Sequence, residues 1–275
     1  MQNYWEFNFS VPRPIKDILI AELADIGYEG FVEETFGLLA YIPEEDFVEK
    51  TLHEILTEYK LSTADYSKKL VEPQNWNEVW ESNFEPIAVE DKCYIRAPFH
   101  EAKEGFEYEV VIEPKMSFGT GHHQTTQLII EAMFTINFKD KQVLDMGSGT
   151  GVLAILAAKM GAKHLVAVDN EEFAYHNVVE NCERNNIANV EVILGEIDKV
   201  KNKKFEIILS NITKNINIEL TAYYTQMLPS GGNVVMSGFF ENDVTDVVAN
   251  AEKHGFQLVS SHLKDHWASV LLTKL

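Results

Sequence analysis

The stretch Val143-Leu144-Asp145-Met146-Gly147-Ser148-Gly149-Thr150-Gly151 joins an apolar run to a turn with three glycines at alternate positions. Glycines there permit a tight strand-to-helix turn and let a ligand approach the backbone. Two ligand chemistries fit. Gly149-x-Gly151-x-x-Ala154 satisfies the dinucleotide pattern, so the glycines alone do not choose. Asp145 favours the other chemistry: a carboxylate at the strand end repels a pyrophosphate and suits a ligand carrying an ammonium and a sulfonium. Val166-Ala167-Val168-Asp169 is a second apolar run closed by a carboxylate, 18 residues after Gly151. An acid at that point can hydrogen-bond both hydroxyls of a ribose. A third run ends at Leu209-Ser210-Asn211-Ile212-Thr213-Lys214-Asn215, where Asn211 supplies an amide for a cofactor or an acceptor amine.

Ahead of the glycine turn lies Ser117-Phe118-Gly119-Thr120-Gly121-His122-His123-Gln124-Thr125-Thr126. Its histidine pair is a poor metal site. Adjacent helical residues point about 100° apart, and no third ligand lies at a useful spacing. No bound metal is expected. Gly119 and Gly121 read as a flexible lead-in to a helix starting near His122, whose first turn closes over the ligand. Thr126 then offers it a hydroxyl. The chain has no Ser-His-Asp pattern, no HExxH and no P-loop lysine.

These residues need elements to hold them. From about residue 120, helical and strand patterns alternate: helices over 127–134, 152–160, 172–185, 216–227 and 243–253, with strands between them. Repeated β-α-β implies a mostly parallel sheet covered on both faces. The last two strands, 256–260 and 267–273, have no helix between them and imply an antiparallel edge. The first 70 residues read as strand, helix, strand, strand, helix, strand, the ferredoxin-like α+β order. Residues 72–112 read as a structured linker, with a short helix at Asn75–Trp80 and three short strands.

The chain has 275 residues, 45% of them hydrophobic, enough for two domains. No run of 18 apolar residues occurs, and the N-terminus lacks the marks of a signal peptide, so no membrane partner is expected. Cys93 and Cys182 have no partner spacing, which points to a reducing, cytoplasmic setting. The net charge of −20 argues against direct nucleic-acid binding. Residues 1–65 hold 14 acidic and 4 basic side chains, a surface suited to a basic partner.

Asp-x-Gly-x-Gly-x-Gly resembles the first motif of the S-adenosylmethionine-dependent methyltransferases. The whole chain resembles the bacterial ribosomal protein L-eleven methyltransferases, which modify the eleventh protein of the large ribosomal subunit. The resemblance rests on Trp76-x-x-x-Trp80-x-x-x-Phe84-x-Pro86, Phe118-Gly119-Thr120-Gly121-His122-His123-x-Thr125-Thr126, the glycine turn, Asn211-Ile212-x-x-Asn215 and Trp267. Glu113-Pro114-Lys115-Met116 departs from the Asp-Pro-Gly of many relatives. Ile212-Thr213 stands where amide and base N-methyltransferases carry two prolines.

The resemblance implies a ferredoxin-like substrate-recognition domain over 1–71, a linker over 72–112, and a seven-stranded doubly wound Rossmann-like methyltransferase domain over 113–275 with its last strand antiparallel. It implies S-adenosyl-L-methionine as cofactor, contacted by Thr126, Gly147, Asp169 and Asn211. Gly149 joins them from the glycine turn, and Asn211 also orients the acceptor amine. The expected reaction is methyl transfer to lysine ε-amines, and the N-terminal α-amine, of a basic ribosomal protein by a monomeric enzyme. The alternatives are a methyltransferase for another protein or a small molecule, a non-catalytic cofactor-binding protein, and an NAD-dependent oxidoreductase.

Overall fold

The computed structural model describes residues 3–11, 13–34, 37–71, 85–114 and 119–275. The helix expected at Asn75–Trp80 lies outside them. The chain divides into two compact units, Met1–Phe84 and Glu85–Leu275.

In the first unit the chain runs β1 (Tyr4–Phe9), α1 (Arg13–Asp25), β2 (Gly30–Glu34), β3 (Gly37–Pro43), α2 (Glu49–Glu58) and β4 (Tyr66–Val71). The strands form one antiparallel sheet in the order β2-β3-β1-β4. Alternation decides which face is covered: Phe7 and Phe9 are buried while Asn8 between them is exposed. They pack with Leu38, Ala40 and Ile42 of β3 against Leu19 and Leu23 of α1 and Leu52 and Leu56 of α2.

The second unit begins with β5 (Ile87–Val89), β6 (Cys93–Arg96) and β7 (Tyr108–Val111), which form a small mixed sheet. Residues 85–112 therefore belong to this unit, although the sequence reads them as linker. The reason is their apolar face. Val89, Cys93, Ile95, Val110 and Ile112 are buried in the core that also holds α3 (Gln124–Met133) and α4 (Val152–Lys159).

The large sheet follows, built from β8 (Gln142–Met146), β9 (His164–Asp169), β10 (Val190–Leu194), β11 (Ile207–Asn211), β12 (Asn233–Phe240), β13 (Phe256–Lys264) and β14 (Trp267–Lys274). Its helices besides α3 and α4 are α5 (Glu172–Arg184), α6 (Lys214–Met227) and α7 (Val244–Lys253). The strand order is β10-β9-β8-β11-β12-β14-β13. The pairs from β10 to β12 are parallel, and β14 runs antiparallel to both its neighbours. The last two strands thus form an antiparallel pair at one edge of the sheet, as the sequence implies, with the final strand β14 inside and β13 outermost. The β13–β14 hairpin folds back so that β14 pairs with the otherwise open side of β12.

Both faces of the central strands are buried, so alternation sorts side chains between two cores. Val143, Leu165, Ala167, Ile207 and Leu209 face one core, and Leu144, Val166, Val168 and Ile208 the other. The chain steps outward from β8 to β9 and β10, then crosses to β11 on the other side of β8. That reversal opens a crevice at the carboxyl ends of β8 and β11, the ligand position of doubly wound sheets.

Candidate active site

The turn after β8 is fixed from both sides. The amides of Gly147 and Ser148 donate to the Val168 carbonyl at 2.9 and 3.1 Å. Gly147 and Gly151 have φ of +75° and +80°, where an L side chain is strained. A Cβ on Gly147 would overlap Ile212 Cγ2. Ile212, the residue after β11, packs directly onto the glycine.

Asp169 ends β9 and faces this turn. Its Oδ2 accepts from the Gly149 amide at 2.8 Å and its Oδ1 from the Glu171 amide at 3.1 Å. A carboxylate has about four acceptor sites, so each oxygen keeps a lone pair for one of two vicinal hydroxyls. Gly149 thus serves the site by holding Asp169. Gly147 and Asp169 line a cavity of about 250 Å³ with Glu196, Ile197, Ile212 and Glu219. Three carboxylates on its wall suit a ligand with net positive charge.

Asp145 does not line this cavity. Strand alternation turns it into the core beside Val143, 1% exposed, where Oδ2 accepts from the Ala154 amide in the first turn of α4 at 3.1 Å. It is a carboxyl group at a helix N-terminus, and its Oδ1 has no hydrogen-bond partner. Desolvation, only partly offset by the Ala154 amide, pushes its carboxyl up to about 7, and the nearby Asp169 charge adds to the rise. The sequence placed this charge at the ligand; the fold places it beneath the turn.

The stretch Gly119–Thr126 is anchored rather than loose. Gly119 and Gly121 adopt φ of +101° and +94°. The Thr150 hydroxyl donates to the Gly119 carbonyl at 2.6 Å, and a Cβ on Gly121 would come 2.9 Å from Ile95 Cδ1. These glycines allow close packing. His122 is hydrogen-bonded to the Glu85 carbonyl at 3.0 Å and to Thr120 Oγ1 at 3.1 Å. His123 caps α3, accepting from the Thr125 amide at 3.3 Å, and burial lowers its pKa, so the ring is neutral at pH 7. No cluster of metal-ligating side chains occurs among the described residues.

Thr126 is fully buried on α3, and its hydroxyl accepts from Asn211 Nδ2 at 3.3 Å. The other amide atom, Asn211 Oδ1, is buried without a partner. Asn211 borders a second cavity of about 270 Å³ with His123, Thr125, Ile212, Gly238 and Trp267. Trp267 meets His123 edge-on at 4.8 Å and stacks on Phe240 at 4.2 Å. The two cavities share Ile212. The structure thus brings Gly147 and Asp169 to one cavity and Asn211 to its neighbour, with Gly149 holding Asp169 from outside the lining and Thr126 behind Asn211.

Sequence reasoning missed Glu196, Glu219 and Gly238. It also missed a ladder on α5. Asn181 Nδ2 donates to the Thr150 carbonyl at 2.9 Å, and its Oδ1 accepts from the Glu113 amide at 2.8 Å. Asn185 bonds both polar groups of Val111. The signal was present as asparagines at 177, 181 and 185, four apart on a buried helix face. The two cysteines offer no nucleophile: burial pushes Cys93 up to about 12 and Cys182 up to about 11.

Asp145 generates a pH prediction. Its folded pKa lies above its unfolded one, so between about pH 4 and about pH 7 the folded state binds more protons, and this contribution to stability falls as pH rises. Asp145→Asn removes the charge and keeps an acceptor for Ala154. Its stability relative to the parent, measured by denaturant titration without ligand, increases across that window. A constant difference would contradict the buried-charge assignment.

Comparison with known proteins shows the family. The family model described as Ribosomal protein L11 methyltransferase (PrmA) matches residues 16–274. The ribosomal protein L11 methyltransferase of Bacteroides thetaiotaomicron is 38% identical over 98% of this chain and 99% of its own. That of Phocaeicola vulgatus is 38% identical over 93% of this chain and 92% of its own. The crystal structure of ribosomal protein L11 methylase from Lactobacillus delbrueckii subsp. bulgaricus aligns with a TM-score of 0.65 at 24% identity, covering 70% of this chain and 99% of that one. At that identity it supports the α/β methyltransferase fold. With a family match over most of its length and close relatives aligned end to end, the chain belongs to the ribosomal protein L11 methyltransferase family.

Proposed function

We propose that this protein transfers methyl groups from S-adenosylmethionine to lysine ε-amines, and to the N-terminal α-amine, of ribosomal protein L11. The observation that carries the reading is the partnerless Asn211 Oδ1, buried where a second cavity adjoins the one lined by Asp169. An unsatisfied buried carboxamide oxygen costs about 1–3 kcal/mol, which a donor N–H in that cavity recovers.

The residues fit the cofactor. Asp169 has acceptor capacity for the ribose hydroxyls, and the bare Gly147 lets Ile212 close against the turn. Glu196 and Glu219 add negative charge for a cationic ligand. The bound cofactor supplies a methyl group already activated by a positive sulfur. The chain's own residues then have to align an amine and keep it neutral. Only about one lysine in two thousand is neutral at pH 7 in water. A cavity walled by Ile212, Gly238 and Trp267 disfavours the charged form, and neutral His123 adds no competing cation. Asn211 Oδ1 accepts an amine N–H and thereby directs the lone pair. No single general base is indispensable, since the proton can leave to water before transfer.

The first unit is the recognition module in this reading. Its βαββαβ order and β2-β3-β1-β4 sheet are those of a ferredoxin-like domain. Its excess of acidic side chains steers a basic protein, and steering of this kind weakens with salt. The enzyme works as a monomer in the cytoplasm.

Four outcomes follow. Mass spectrometry of ribosomal protein L11 after incubation with isotopically labelled cofactor shows labelled methyl on amines. Asn211→Ala lowers that transfer about a hundredfold at saturating cofactor, whereas full turnover excludes the orienting role. Gly147→Ala forces Ile212 aside and weakens cofactor binding about tenfold or more by calorimetry; an unchanged affinity contradicts the packing argument. The value of kcat/KM for the protein substrate falls from low to high salt, and a flat profile contradicts steering.

A further inference from the structure

Ile212 walls both cavities, so its placement decides whether methyl donor and amine meet in line. Neither Ile212 nor Thr213 fixes its own φ as proline does. The rigidity comes from behind. Asn217 sits in the first turn of α6 and is fully buried. Its Nδ2 donates to the Ile212 carbonyl at 2.8 Å and to the Ser237 carbonyl at 2.9 Å. One amide thus ties the segment after β11 to β12 where its register shifts.

The amide is itself oriented. Asn217 Oδ1 accepts from the Ser210 hydroxyl at 2.8 Å, and Ser210 Oγ lies 2.9 Å from the Tyr224 hydroxyl. Ser210 and Tyr224 are both fully buried. Thr221 donates to the Asn217 carbonyl at 2.7 Å, and the Asn217 amide donates to the Thr213 carbonyl at 3.0 Å. On the other side the Ile212 carbonyl rests against Gly238, at φ +94°, where a Cβ would overlap it. The carbonyl of Ile212 is therefore held within the protein, and Asn211 Oδ1 remains the unsatisfied acceptor beside it.

We infer that Asn217, oriented by Ser210 and Tyr224, is a positioning residue for methyl transfer: it fixes Ile212 and so sets the alignment between the donor and acceptor cavities. The inference rests on the two-cavity reading above. Strand alternation explains why it acts from the far side. Ser210 points into the core beneath α6, while Asn211, the next residue, points to α3.

The test is steady-state kinetics of Asn217→Ala and Ser210→Ala, with affinity for S-adenosylhomocysteine measured by calorimetry. Both are assayed at a temperature where each variant is folded. Asn217→Ala lowers kcat about tenfold or more while affinity for S-adenosylhomocysteine changes less than about threefold. Ser210→Ala lowers kcat less, in the same direction, and stands in if Asn217→Ala does not fold. A merely structural role lowers melting temperature without this split. Wild-type kcat in the folded variants, with Asn211→Ala inactive, overturns the role of Asn217 and leaves the two-cavity reading in place. Wild-type activity in Asn211→Ala overturns the two-cavity reading itself.

Discussion

Ile212 rests on the bare backbone of Gly147, and the rest of the site is arranged around that contact. It exists because the strand order reverses between β8 and β11, which puts the segments following two parallel neighbours side by side. Any side chain at position 147 would push the two segments apart. With glycine there, one apolar residue separates the Asp169 cavity from the Asn211 cavity. Gly238 plays the matching part on the opposite side by letting the Ile212 carbonyl approach.

Polar groups around this contact are buried and paired rather than excluded. Asn181, Asn185 and Asn217 each bond backbone atoms of segments other than their own helix turn. A paired buried amide contributes about 1 kcal/mol, but losing one leaves several groups orphaned and costs more. Such networks specify geometry more than they add stability. Among the buried polar atoms left unsatisfied near the crevice, Asp145 Oδ1 and Asn211 Oδ1 differ in kind. The first is sealed under the glycine turn, and the second belongs to a residue that lines a cavity.

Local spacing made the meeting of Gly147 and Asp169 at one cavity legible in the sequence. Gly147 and Asp169 stand where strands end, and a parallel sheet brings consecutive strand ends together whatever the side chains beneath them. The direction of Asp145 was not legible, because β8 is buried on both faces and hydrophobicity does not tell them apart. Residues 85–112 looked like a linker because their strands are short; only the packing of Cys93, Ile95 and Val110 on α3 and α4 shows where they belong. Asn217 passed unnoticed as an ordinary polar residue at a helix start. Its link to Ser210 and Tyr224 depends on which face of β11 each residue takes.

The central claim is that methyl donor and amine occupy adjoining cavities divided by Ile212. A crystal structure with S-adenosylhomocysteine and a lysine-containing peptide tests it most directly. The account predicts the ribose hydroxyls on Asp169, the sulfur beside Ile212, and the lysine nitrogen on Asn211 Oδ1 in the cavity that includes Trp267. A lysine reaching the sulfur by another route, with Asn211 Oδ1 still unpaired, would contradict it.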